Sequence, residues 1–96
     1  VMYGTIFELN IKDGHHKALL KEINQDKRFP KGMKAWFIMN PNEQKEWIGV
    51  AIFESKEAYV ANAESPEQHE QFLKLMEHLE SEPSWTDGEF VFGQLK

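Results

Sequence analysis

The sequence contains no cysteine and only four prolines and six glycines among its 96 residues. Without cysteine, the chain forms no disulfide and offers no thiolate to zinc, so we expect a reducing, cytoplasmic location. No apolar run approaches the roughly 18–20 residues of a membrane span, and no signal-peptide pattern is present. Basic residues are also few: 11 Lys and Arg against 16 Asp and Glu give a net charge of −5. This balance argues against a nucleic-acid partner, whose phosphates need a basic surface.

Aromatic residues, by contrast, are abundant. Seven Phe, three Trp and two Tyr make up 12% of the chain. A chain of this length is expected to form a single domain over residues 1–96. Such a domain buries only about 60–65% of its unfolded surface. The aromatic residues therefore carry more large apolar surface than one small core is expected to hide.

Four segments have the composition of β-strands. They are rich in β-branched and aromatic residues and are separated by Gly, Pro and Asn turn signals. The predicted strands are residues 2–11, 33–40, 46–54 and 85–93. The turn at Pro41-Asn42 makes the second and third strands an antiparallel hairpin. We expect an irregularity in the last strand at Asp87-Gly88.

The intervening segments have helical periodicity and helix-start signals. Asp13, Ser55 and Ser65 are predicted N-caps, and Pro83 is predicted to stop the last helix. The predicted helices are residues 14–28, 56–62 and 66–82. The order strand–helix–strand–strand–helix–strand predicts an α+β, ferredoxin-like βαββαβ fold. Its four-stranded antiparallel sheet would carry the helices on one face.

Both faces of this sheet are expected to be apolar. The first strand places Phe7 on one side and Ile6 on the other, and the third strand likewise separates Ala51 from Val50. In the second strand, strict alternation predicts one group on each side: Met33, Ala35, Phe37 and Met39 opposing Trp36 and Ile38. Helices cover one face only, and a bare second face would exceed the apolar patch size usual for monomers. We therefore expect a homodimer with two sheets packed face to face.

The segment Phe53-Glu54-Ser55-Lys56-Glu57-Ala58-Tyr59, followed by Ser65-Pro66 and Phe72, resembles the antibiotic biosynthesis monooxygenase-like (ABM) family of dimeric α/β barrels. The matching features are a strand, an S-x-E-A-[FY] helix start, an S-P pair and a downstream Phe. The closing Trp85-Thr86-Asp87-Gly88-Glu89 resembles the end of an uncharacterised branch of that family. The resemblance implies a dimeric α/β barrel. It also implies one of three outcomes: cofactor-independent oxidation of polycyclic phenols and quinols, haem degradation, or no activity.

The resemblance also suggests site residues. Asn62 stands where many family members have a His on the short helix before the S-P pair, and His69 follows that pair after Glu67 and Gln68. The haem-degrading branch combines an Asn on the first strand, a Trp and a His on the second helix. The nearest residues here are Asn10, Trp36 or Trp47, and His69.

The residue types themselves leave two interpretations open at each position. His69 lies near the apolar stripe of its helix, where it serves either as a proton shuttle or haem ligand, or as a core-edge residue. Trp36, Trp47 and Trp85 suit the walls of a pocket for a flat substrate, or the core and the dimer interface. Tyr59 and Asn62 are placed at the pocket mouth, with a core role as the alternative for Tyr59. His16 is expected on an apolar helix face, and His78 in solvent.

No phosphate loop, nucleophile elbow, dinucleotide fingerprint or metal-ligand spacing is present. We therefore expect no resident cofactor and no metal, with haem as the open exception. The resulting hypothesis is a monooxygenase-like homodimer that needs no cofactor and acts on, or binds, a small flat hydrophobic or aromatic molecule. His69 and Asn62 are its catalytic candidates, and Trp36, Trp47, Tyr59, Asn10 and Trp85 contact the substrate. The alternatives are a non-catalytic dimer that binds a small ligand or haem, and a purely structural dimer.

Overall fold

A computed structural model describes all 96 residues. It contains four strands and three helices joined by loops. In chain order these are β1 (Tyr3–Leu9), α1 (His16–Gln25), β2 (Met33–Met39), β3 (Trp47–Phe53), α2 (Lys56–Ala63), α3 (Pro66–Met76) and β4 (Ser84–Glu89). The predicted short helix 56–62 and the helix that follows it are α2 and α3. None of the three helices has the length and apolar character required to cross a membrane.

The four strands form one antiparallel sheet in the order β2-β3-β1-β4. In this order β1 and β3 occupy the centre, and both crossovers run through helices. Phe7 of β1 is paired with Gly49 of β3 on one side and with Trp85 of β4 on the other. Directly paired residues in an antiparallel sheet share a face, so these pairs define the side that carries the helices. The ferredoxin-like α+β fold predicted from the sequence is confirmed.

Two of the three predicted helix starts are correct. The Ser55 hydroxyl accepts a hydrogen bond from the Ala58 backbone N–H at 3.1 Å, and Ser65 accepts one from Gln68 N–H at 3.1 Å. The prediction that Asp13 caps α1 is wrong. Gly14 follows it with φ of +81°, and the N-cap is His15, which makes no side-chain capping bond.

Two helices are shorter than predicted. α1 ends at Gln25 and α3 ends at Met76, six residues before Glu82 and well before Pro83. Residues 77–80 leave the helix because their backbone pairs with the end of β1 instead. The bridge joins Ile11 to Leu79, with Lys12 N–H donating to His78 O at 2.9 Å and Glu80 N–H donating to Asn10 O at 2.9 Å.

The irregularity predicted at Asp87-Gly88 is also wrong, because β4 pairs with β1 in unbroken register. The sheet's irregularity lies in β2 instead. Met33 pairs with Phe53 and Ala35 with Ile52, which leaves one extra residue, Lys34, on β2. This bulge breaks the strict alternation assumed for the second strand, since Met33 joins Trp36 and Ile38 on the helix side.

The main core lies between the sheet and α1, at the end of the sheet where residues 77–80 pack. It consists of Phe7, Leu9, Ile11, Leu19, Trp47 and Leu79. The His16 ring packs edge-on against Trp47 with their centroids 5.2 Å apart. Trp47 is therefore a core residue, with only 6% of its surface exposed.

The face of the sheet opposite the helices is apolar and uncovered. Ile6 is 47% exposed, Phe37 67% and Met39 55%. We call the surface formed by Ile6, Phe37, Met39, Ile48, Val50 and Ile52 the open face.

Candidate functional site

A cavity of about 460 Å³ lies between the sheet and the helices. It is lined by 22 residues, of which 13 are hydrophobic, so its interior favours an apolar molecule. Every strand and every helix contributes to the wall, together with the loop between α1 and β2. This size falls within the range of about 300–1,000 Å³ that is usual for small-molecule sites.

Small residues leave space at the sheet. Ala51 of β3 and Thr5 of β1 are paired neighbours on the cavity floor, and the Phe7 ring lies over Gly49. A Cβ atom at Gly49 would stand 2.2 Å from Phe7 Cζ, so the glycine is what allows the ring to lie flat on β3.

Two tryptophans stand at opposite margins of the floor. Trp36 projects from β2 and Trp85 from β4, and these are the two edge strands of the sheet. Trp36 is 38% exposed and Trp85 46%, so both border the cavity and solvent. Trp85 also packs against Phe7 and Phe72, with ring centroids 5.1 Å and 6.4 Å away. The arrangement offers aromatic surface on both sides of a flat molecule.

One edge of the cavity is polar and is organised by Arg28. Its Nη1 donates to Asn62 Oδ1 at 3.1 Å, and its Nη2 donates to Gln68 Oε1 at 2.6 Å. Asn62 Nδ2 also donates to Gln68 Oε1, at 3.2 Å. These bonds tie the loop after α1 to the junction of α2 and α3. We refer to Arg28, Asn62 and Gln68 as the amide–guanidinium cluster.

A second polar pair links α2 to β4. The Tyr59 hydroxyl donates to Asp87 Oδ1 at 2.9 Å, and its ring packs near Tyr3 and Phe53, with centroids at 5.4 Å and 5.6 Å. Burial, assisted by the hydrogen bond to the Asp87 carboxylate and by its negative charge, raises the pKa of Tyr59 to about 12. Tyr59 is therefore a neutral hydrogen-bond donor near pH 7 and is unsuited to act as a phenolate base.

Five of the seven predicted site residues line this cavity: Trp36, Tyr59, Asn62, His69 and Trp85. The other two lie elsewhere. Trp47 belongs to the core beside His16. Asn10 follows the end of β1, where its backbone carbonyl accepts the Glu80 N–H, and the polar residue that β1 presents to the cavity is Thr5.

Six polar lining residues were not anticipated from the sequence: Thr5, Asp26, Arg28, Gln68, Gln71 and Asp87. Helical periodicity placed Arg28 in the first helix, but α1 ends at Gln25 and Asp26 is extended, so the chain turns towards the cavity. Gln68 was noted only as part of a helix-start signal. The sequence signal for this polar edge is Arg28 itself, the only Arg of the chain, which stands just before the Phe29-Pro30 pair.

His15 and His78 form a separate cluster with Glu22 outside the cavity. His78 Nε2 lies 2.6 Å from Glu22 Oε2, and His78 Nδ1 lies 3.2 Å from His15 Nδ1. The prediction that His78 is solvated is wrong, because its side chain is only 14% exposed. No group of three His, Asp or Glu side chains is arranged to hold a metal ion.

Comparison with known proteins gave structural matches only. No protein-family model matches the sequence, and no curated protein matches it. The fold, however, is that of the antibiotic biosynthesis monooxygenase-like proteins, as several solved structures show over nearly the full chain.

Two of these neighbours illustrate the match. The Streptomyces coelicolor monooxygenase ActVA-Orf6, solved with the ligand nanaomycin D, superposes with a TM-score of 0.78 at 16% identity, covering 100% of this chain and 93% of that one. A proposed antibiotic biosynthesis monooxygenase from Bordetella bronchiseptica gives a TM-score of 0.80 at 14% identity, covering 95% of this chain and 98% of that one. These superpositions establish the shared fold. At such low sequence identity, they say nothing about the reaction.

Proposed function

We propose that this chain is a monooxygenase-like protein that binds a small, flat, mainly apolar molecule in the cavity and oxidises it without a resident cofactor. The observation that carries the proposal is the 460 Å³ apolar cavity, with Trp36 and Trp85 at opposite margins. The fold-level likeness to a monooxygenase solved with nanaomycin D points in the same direction. Likeness of fold by itself is an analogy, so the site geometry is the stronger support.

The proposed reaction requires a substrate that supplies its own electrons. An electron-rich phenol or quinol gives up two hydrogens to O2. One oxygen atom enters the substrate, and the other leaves as water with those hydrogens. The chain would contribute an apolar enclosure and one proton acceptor. His69 is the proposed base because it lines the cavity and histidine is the side chain that most often acts as a general base.

Asn62 has a different role in this proposal. Its side-chain oxygen accepts from Arg28, and its amide nitrogen donates to Gln68. Both interactions hold the polar edge in one arrangement, so Asn62 would orient a substrate oxygen. Tyr59 would contact the substrate through its ring and its hydroxyl oxygen, because its one O–H hydrogen is donated to Asp87. Trp36 and Trp85 would supply the contact surface for the ring system.

The alternative is a dimer that binds a small ligand or haem without turning it over. The engagement of Asn62 within the amide–guanidinium cluster favours this version, because both polar atoms of its side chain already have protein partners. For haem, His69 is the histidine on the cavity wall that would ligate the iron. The Asn of the haem-degrading pattern has no counterpart on the cavity side of β1, where Thr5 stands.

We also propose that the functional unit is a homodimer joined through the open faces. Ile6, Phe37 and Met39 are each about half exposed or more, and they lie on one contiguous sheet surface with Val50. A second copy presents the same apolar surface and covers it by an isologous contact.

The experiment is oxygen uptake measured with a panel of polycyclic phenols and quinols, with calorimetric binding of the same compounds in parallel. We expect uptake with at least one compound and a loss of roughly 10²-fold or more in His69→Ala, as for removal of a general base. His16→Ala is the matched control, because His16 packs on Trp47 outside the cavity.

The possible outcomes separate the candidate functions. Binding without oxygen uptake favours the non-catalytic alternative, and a shift of the Soret band on haem titration identifies its haem version. An undiminished rate in His69→Ala removes that residue from the mechanism. Absence of both uptake and binding across the panel overturns the proposal.

A further inference from the structure

The amide–guanidinium cluster defines what the polar edge of the cavity can recognise. Arg28 is half-buried, and the hydrogen-bond partners of its guanidinium group are the neutral side-chain amides of Asn62 and Gln68. The chain's two ion pairs are Lys45–Asp13 and His78–Glu22, and neither includes Arg28. The guanidinium group of Arg28 is therefore held in position by neutral partners and forms no ion pair with a carboxylate of this chain.

Most of the hydrogen-bonding groups that the amide–guanidinium cluster leaves unused are donors. A guanidinium has five N–H donors and no acceptor, so the atoms that face it on Asn62 and Gln68 must be their oxygens. Gln68 Oε1 already accepts from both Arg28 and Asn62. Three N–H groups of Arg28 and the Gln68 amide nitrogen remain to donate. At the amide–guanidinium cluster, unused donors therefore outnumber unused acceptors, since Asn62 Oδ1 accepts only one hydrogen bond.

Two carboxylates also line the cavity and bear on this argument. Asp26 Oδ1 accepts the backbone N–H of Arg28 at 3.0 Å, so it braces the loop and does not pair with the guanidinium. Asp87 accepts from the Tyr59 hydroxyl. Each acidic group is thus held by another partner. Arg28 is the only Lys or Arg side chain in the cavity lining, so an anionic group of a ligand would find its cationic partner at this edge, even with Asp26 beside it.

We propose that the ligand of this cavity carries a carboxylate on its flat apolar body, and that Arg28 is the residue that selects it. This inference rests on the proposed function, since it concerns the same cavity. A carboxylate supplies two oxygen acceptors in the plane that a guanidinium recognises. The apolar remainder would lie between Trp36 and Trp85, on the floor formed by Ala51.

The test compares two probes of equal shape and different charge. Naphthalene carboxylate and naphthalene carboxamide are titrated calorimetrically into the full chain at neutral pH and low salt. Hydrogen bonds to a charged group contribute about 1.5–3 kcal/mol, which corresponds to roughly ten- to a hundredfold in affinity. We expect a preference of that size for the carboxylate, and a decline in the preference as salt is added.

Two variants assign the preference. Arg28→Gln should remove it while leaving carboxamide affinity nearly unchanged, and Arg28→Lys should retain only part of it. Lys27→Gln is the matched control, because it removes the same charge from an exposed neighbouring residue outside the cavity. We expect it to retain the full preference. A merely structural tether at Arg28 would weaken both probes equally.

Equal affinity of the wild-type chain for the two probes overturns this inference and leaves the proposed function standing. Failure of both probes, and of the phenol and quinol panel, overturns the proposed function instead. Because the wild-type comparison needs no substitution, the inference remains testable if Arg28→Gln fails to fold. A preference retained in a folded Arg28→Gln variant also overturns it.

Discussion

The Tyr59 hydroxyl donates to Asp87 Oδ1 at 2.9 Å and so links α2 to β4 beside the cavity. Burial is the largest cause of the raised pKa of Tyr59, followed by the hydrogen bond and charge of Asp87. In a Tyr3→Phe background, where Tyr59 is the only tyrosine, alkaline titration of tyrosinate absorbance should give a midpoint of about pH 12. Asp87→Asn should lower this midpoint towards 10.0 without reaching it, since burial persists.

The same shift has a consequence for stability. A phenol whose pKa is raised by folding stabilises the folded state below the unfolded pKa of 10.0, and this contribution is lost as pH rises towards about 12. Denaturant unfolding across that pH window should show a steeper decline for the Tyr3→Phe protein than for Tyr3→Phe/Tyr59→Phe. If the unfolding free energy declined equally with pH in the two proteins, folding would not raise the pKa of Tyr59.

Gly49 is predicted to tolerate no side chain. Its hypothetical Cβ would lie 2.2 Å from Phe7 Cζ and 2.4 Å from Phe7 Cε2. Gly49→Ala should therefore displace the Phe7 ring and lower the free energy of unfolding by about 1–3 kcal/mol, as other overpacking substitutions do. Gly88→Ala is the matched control, since nothing lies within 4 Å of a Cβ there. Equal unfolding midpoints for the two variants would show that the ring moves freely.

The Glu22–His78–His15 cluster is predicted to hold α1 against residues 77–80. A carboxylate only accepts, so His78 Nε2 carries the hydrogen towards Glu22, and its Nδ1 shares one hydrogen with His15. His78→Ala should cost about 1–3 kcal/mol of unfolding free energy, because it leaves two part-buried partners unmatched.

Asp13→Asn, which removes an ion pair exposed at 56% and 90%, should change the free energy of unfolding by less than about 0.5 kcal/mol. Denaturant unfolding monitored by circular dichroism measures the change in unfolding free energy for His78→Ala and for Asp13→Asn. A cost for His78→Ala no larger than that of Asp13→Asn would contradict the role of the cluster.

The proposed dimer predicts a change of oligomeric state on charging the open face. Phe37 is 67% exposed there, whereas Leu73 is 52% exposed on α3, away from the open face and the cavity. In sedimentation velocity at micromolar concentration, we expect wild type and Leu73→Glu to sediment as dimers and Phe37→Glu as a monomer. A wild-type chain that sediments as a monomer would refute the dimer.

The fold was accessible from sequence because each of its signals is local. Strand composition, the Ser55 and Ser65 caps and Pro66 each depend on a few neighbouring residues, and they fixed the element order. The end of α3 was mispredicted because it depends on a long-range competitor. Leu79 continues the helical periodicity, yet its backbone pairs with Ile11, 68 positions earlier.

The site could be predicted only in part, because it also depends on contacts between residues far apart in the sequence. Aromatic residues and His69 are visible as types with a face preference, and most of them do line the cavity. The partnership of Arg28 with Gln68 joins residues 40 positions apart, and no periodicity reports it. Asn10 and Trp47 lie outside the cavity because of contacts between distant segments: residues 77–80 engage Asn10, and Trp47 packs in the core.

The single extra residue at Lys34 has a consequence for sequence change. Because Met33 already pairs with Phe53 and Ala35 with Ile52, deleting Lys34 would make these two pairs consecutive and leave the side chains of β2 on their present faces. The extra residue therefore lets β2 lose one position without exchanging Trp36 for Phe37 between the cavity and the open face. Ligand contact and self-association are thus protected together against this deletion.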